Sequence, residues 1–93
     1  MGERSQNGEG VIDRETFIST YVDLRVAALS RADGELRRQD RDRILDEHGV
    51  EEEDLVRFVE VRGRDVHFMQ ELWDEVRQRI RAMEEELLAE AAA

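Results

Sequence analysis

Residues 66–87 read VHFMQELWDEVRQRIRAMEEEL, and within them Val66, Met69, Trp73, Val76, Ile80, Met83 and Leu87 recur at spacings of three, four, three, four, three and four. That is an apolar stripe down one side of a helix, unbroken over three heptads, with Asp74, Glu75, Arg77, Gln78, Arg79 and Arg81 on the other faces. A helix of this span is ~33 Å long at ~1.5 Å per residue. So long an element in so short a chain predicts that the upstream segments are shorter helices built to cover it.

Those segments carry helix punctuation. Asp13 is a good N-cap, and Ile12 before it pairs with Phe17 as a hydrophobic staple for a first helix. On that helix Phe17, Tyr21, Leu24 and Ala28 form one apolar row, and Ile18, Val22 and Leu29 form the next. Ala32-Asp33-Gly34 is turn chemistry. Leu36 to His48 predicts a second, weak helix with only Leu36, Ile44 and Leu45 for the core, its first half frayed, stopped by Gly49 in the left-handed position. Val50 and Leu55 staple a third, whose Glu51-Glu52-Glu53-Asp54 run places carboxylates at the positive end of the helix dipole. Gly63 ends it, and Asp65 caps the long helix after a corner too short to be a linker. No proline interrupts any of these elements. The expected fold is all-α: three to four helices, with the long C-terminal helix antiparallel to helix one and two short helices between.

The 93 residues are read as one domain. Residues 1–10 are expected to be a disordered lead-in, residues 11–88 the helical domain and residues 89–93 a frayed tail. A domain of this size buries roughly 60–65% of its unfolded surface, which makes its stability modest. Charged residues are 41% of the chain and the net charge is −10. Such a field disfavours nucleic acid and anionic membrane surfaces, both polyanions. All 14 basic residues are arginine, scattered over every segment. There is no cysteine, which removes disulfides, thiolate chemistry and Cys-ligated zinc. No apolar run is long enough for a transmembrane helix, and no apolar signal segment follows Met1. The chain reads as soluble, or as exported or envelope-anchored if Met1 is not the native start.

Polar chemistry is sparse. His48 and His67 lie on different elements without the spacing that aims two imidazoles at one metal. The acidic run at residues 51–54 lacks the alternating oxygens and central glycine of a calcium loop. Arg37, Arg38, Arg41 and Arg43 are interleaved with Asp40 and Asp42 and carry no aromatic for base stacking, so ion pairing within the helix is the preferred reading. No Ser-His-Asp set or phosphate loop accompanies the carboxylates. The chain is therefore expected not to be an enzyme, with no catalytic, cofactor-binding or metal residue, no cofactor and no small-molecule substrate.

What the pattern does offer is apolar surface. The stripe keeps a coiled-coil period of 3.5, which fits either intramolecular cover by helix one or a dimer through its distal half. Phe68 and Leu72 widen it on one side, and Ile80, Met83 and Leu87 extend beyond what the short helices can cover. These five residues, Phe68, Leu72, Ile80, Met83 and Leu87, are the candidate interaction face. Tyr21 and Trp73 read as core anchors. The function expected is a protein-interaction module, with structural homodimerisation through the distal C-terminal helix as the alternative.

Several stretches also resemble a known pattern: Val11-Ile12-Asp13-Arg14-Glu15-Thr16-Phe17 leading into Tyr21-Val22-Asp23-Leu24, then Ile44-Leu45-Asp46-Glu47-His48-Gly49-Val50, then Phe58 and the Trp73-Asp74-Glu75-Val76 helix. Over residues 11–82 their order is similar to a bacterial family of small all-helical domains of unknown function, often found in envelope lipoproteins. The proline that usually opens the family's first helix is absent, with Asp13 in that region, and so is its lipidated cysteine. The resemblance implies a helical fold and an exported origin, and no activity.

Overall fold

The structure, a computed structural model, describes residues 10–92. It holds four helices, α1 (Arg14–Leu29), α2 (Arg38–Glu47), α3 (Glu52–Arg62) and α4 (Val66–Ala92), and no strand among the described residues. The all-α fold is as the sequence predicts, with the long C-terminal helix packed on helix one. Most of the proposed lead-in, residues 1–9, lies outside the described residues, as does residue 93 of the tail.

The helix ends follow from local chemistry. Asp13 caps α1, its carboxylate accepting the Thr16 N–H at 2.9 Å. Gly49 takes φ +66°, which only glycine adopts without cost, and this lets two bonds close the end of α2. The Gly49 N–H reaches the Asp46 carbonyl at 3.0 Å and the Val50 N–H reaches the Leu45 carbonyl at 2.9 Å, a full Schellman motif. α2 itself starts at Arg38 without a side-chain cap. At α3 the acidic run does more than complement the dipole: buried Asp54 accepts the Glu51 N–H at 2.9 Å. Asp65 caps α4 by accepting the Phe68 N–H at 3.0 Å. At the corner before it, a Cβ on Gly63 would stand 2.4 Å from the Val59 carbonyl oxygen, so no side chain fits there.

All five aromatic residues of the chain meet in one cluster. Phe17 of α1 stacks on Phe58 of α3, centroids 4.3 Å apart and planes at 12°. It meets Trp73 of α4 edge-on at 6.1 Å, and Tyr21 meets the same indole at 5.1 Å. Ile12, Ile18, Val22, Leu45, Val50, Leu72 and Val76 complete the buried core around this group.

The direction of packing differs from the antiparallel arrangement expected. Phe17 and Tyr21 sit on Trp73, Ser19 and Asp23 lie beside Arg79 and Met83, and Leu29 lies beside Leu87 and Leu88. Partners ascend together along the two helices, so α1 and α4 run in the same sense. The reason is the return made by α2: it carries the chain back until His48, just past its end, meets Asp23. After α3 crosses at Phe58, α4 can then start where α1 started.

Because Phe17 is 1% exposed and touches both other aromatic helices, Phe17→Ala should lower unfolding free energy by about 3–5 kcal/mol. Leu88→Ala, at an exposed site, should change it by no more than about 0.5 kcal/mol. Urea denaturation followed by circular dichroism measures both.

Candidate functional site

The structure scatters the five residues of the expected face. Leu72 is 0% exposed, at the centre of the core, and so is removed from the interaction surface. Its position one residue before Trp73 turns it into the core rather than to solvent, and α3 covers Phe68, whose ring lies 6.1 Å from that of Phe58. The Arg62 guanidinium also sits over the Phe68 ring, 5.9 Å from its centroid. Ile80 and Met83 are half-buried, packed against the core. Leu87 alone is open, at 46% exposure, beside Leu29 and Leu88.

In place of that face the fold forms a groove that sequence reasoning missed. Phe17, Tyr21 and Leu24 of α1, Leu55, Val56 and Val59 of α3 and Trp73 of α4 enclose an open depression of about 400 Å³. No polar atom is presented into it, although Glu60 stands at its edge. Apolar positions of both α1 and α3 contribute to it. They form a groove because α3 meets α1 at Phe58 and Phe17 and leaves Leu24 and Val59 lining the open depression alongside. The exposed valines on α3, Val56 and Val59, were the available signal.

On another face, Ser19, Asp23, His48, Arg79 and Met83 surround a second depression. Its polar groups are bound to one another or to Glu15 and Glu75. His48 Nε2 lies 2.7 Å from Asp23 Oδ2. Arg79 forms a bidentate pair with Glu15, both bonds 2.8 Å, and a third bond to Glu75 at 2.8 Å. Ser19 Oγ donates to Glu15 at 2.8 Å rather than to His48, so hydroxyl and imidazole are not coupled as nucleophile and base. Arg79 first and Ser19 second, by hydrogen bonding, lower the Glu15 pKa to about 2, while Glu15 and then Glu75 push that of Arg79 up. No group of three or more potential metal ligands occurs among the described residues. No helix among them is long and apolar enough to cross a membrane.

The chain matches no family model, and neither the curated proteins nor the solved structures contain a match to it.

The Glu15 shift fixes a pH dependence. A carboxylate whose pKa is depressed in the folded state adds stability above its unfolded value, and that contribution is lost as pH falls from about 4.5 to about 2. Because the side chain is 61% exposed, screening limits the pair to about 0.5–1 kcal/mol. Glu15→Gln should therefore cost about that much at pH 7 and progressively less as pH falls through about 2, read as a difference in urea midpoints that closes with acid.

Proposed function

We propose that this chain is a non-enzymatic protein-interaction module, and that its partner segment is an amphipathic helix with basic flanks seated in the groove between α1, α3 and α4. The observation that carries the proposal is the wall of that groove. It gathers apolar side chains from three helices around a channel that no polar atom enters. A helix laid in a groove buries side chains at i, i+3, i+4 and i+7, and an apolar wall of this kind rewards that pattern without demanding a particular polar partner. Tyr21 and Trp73 supply large, stiff surface of the sort that dominates binding energy.

Charge selects the flanks. The chain carries a net charge of −10, and Glu52, Glu53 and Glu60 lie exposed along α3. Arginine or lysine residues outside the apolar stripe of a partner would be drawn to this rim, raising the association rate and making it salt-dependent. The non-enzymatic part of the proposal is supported by the neighbouring polar depression, where Ser19, Asp23, His48 and Arg79 spend their hydrogen bonds on one another or on Glu15 and Glu75. The resemblance to envelope-lipoprotein domains adds a setting to the proposal, the bacterial envelope, which fractionation of the product in its own host would test.

Trp73 is the sole tryptophan, so its fluorescence reports directly on the groove wall. Titration with model amphipathic peptides bearing Leu at i, i+3, i+4 and i+7 and Arg on the remaining faces should shift its emission to the blue and saturate. Acidic peptides of the same apolar pattern should not. Val59→Glu, at an exposed position, should weaken the basic peptide at least about tenfold by placing an unpaired charge under the apolar stripe. Equal binding of both peptide sets, or none by either, would overturn the proposal.

A further inference from the structure

Beyond the groove, the distal part of α4 stands without cover. From Glu84 to Ala92 every residue is exposed, and Leu29 of α1 borders the depression beside Leu87 and Leu88. Leu29, Leu87 and Leu88 are exposed, Leu88 by 70%, and with Arg81, Glu84 and Glu85 they border one open depression of about 400 Å³. Helical geometry places Arg81, Glu84 or Glu85, and Leu88 on a single face, at i, i+3 or i+4, and i+7.

The order of charge along this face bears on what covers it. Arg77, Arg79 and Arg81 precede Glu84, Glu85, Glu86 and Glu90 on the same helix. Arg77 is spent on Asp74, and Arg79 on Glu15 and Glu75. Arg81 and the four glutamates make no ion pair among the described residues. The segment is thus positive at one end and negative at the other, with leucines between and beside the charges. A second copy laid parallel would set like charge on like. A second copy laid antiparallel sets each Arg81 against the other's Glu84 and Glu85, which is the self-complementarity a two-fold interface requires. The aliphatic stem of Arg81 then offers apolar surface to the partner copy's leucine.

We propose that the exposed face formed by Arg81, Glu84, Glu85 and Leu88 of α4, with Leu29 beside it, is an antiparallel docking surface for a second copy of this chain. The interface is independent of the groove and small, which places the dimer in the weak, concentration-dependent class. It also gives cover to leucines that the single chain leaves exposed.

Sedimentation equilibrium of the whole chain from about 10 μM to about 1 mM tests this, since weak interfaces fall in that affinity range. The expected result is a mass rising from 10.9 kDa toward twice that value. Arg81→Glu alone, and Glu84→Arg with Glu85→Arg, should each weaken association at least about tenfold, because each sets like charges across the pair. The triple variant that reverses all three charges should recover it. All three positions are exposed, and unchanged circular dichroism will confirm that the variants fold. Val59→Glu in the groove should leave the dimer intact. A single 10.9 kDa species at every concentration, association indifferent to Arg81→Glu, or a triple variant that does not recover would each overturn the proposal.

Discussion

The stack of Phe17 on Phe58 is the contact on which the rest of the molecule depends. Phe17 belongs to the first helix and Phe58 to the third, and the edge of Trp73 brings the fourth helix to the same ring. Burial of an aromatic side chain is worth several kilocalories per mole, whereas the exposed ion pairs around it contribute less than about one each. A domain this small has no second core to fall back on. The position of α3 is therefore set by one ring pair, and both the cover over Phe68 and the opening of the groove follow from where that pair places it. The Arg79 network and the His48–Asp23 bond act as fasteners on an arrangement that aromatic packing has already chosen.

What was legible in the sequence is what is decided within a few residues of itself. The caps at Asp13 and Asp65, the left-handed stop at Gly49 and the stripe of α4 are all local, and the structure places each where its chemistry puts it. Leu72 shows the first limit. It lies beside the stripe in sequence, yet it is buried while stripe members Val66 and Leu87 are exposed, because α1 crosses α4 over its middle and leaves both ends open. The sense of α1 against α4 shows the second. Nothing local records that α2 returns the chain before α4 begins, so the period of the stripe fits either direction. The groove is a consequence of that global path, and its residues carry no mark beyond exposed valines on α3.

The two surfaces differ in kind. In the groove the apolar residues come from three helices and the nearest charge is one glutamate at the edge, so recognition rests on shape and on apolar side chains presented by a partner. On the distal part of α4 the apolar residues are few and the charges are segregated along one helix, arginine before glutamate, so orientation is carried by electrostatics. Elsewhere the polar groups that resemble catalytic machinery are held by neighbours within the fold. Their bonds stabilise the packing of α1 against α2 and α4 and leave the unpaired apolar area to the two surfaces.

The same-sense packing of α1 and α4 has a consequence for how the chain is made. Glu15 and Arg79, partners in the finished fold, are 64 residues apart, and Phe17 waits nearly as long for Trp73. At translation rates of roughly 5–20 residues per second, α1 exists for on the order of 3–13 s before its α4 partners are synthesised. Through that interval Phe17, Ile18 and Val22 form an amphipathic helix whose apolar side has only α2 and then α3 to rest on. Only α4 closes the core, so folding of this domain is gated by the synthesis of that helix, and a chain truncated before Trp73 leaves the first helix with its aromatic face exposed.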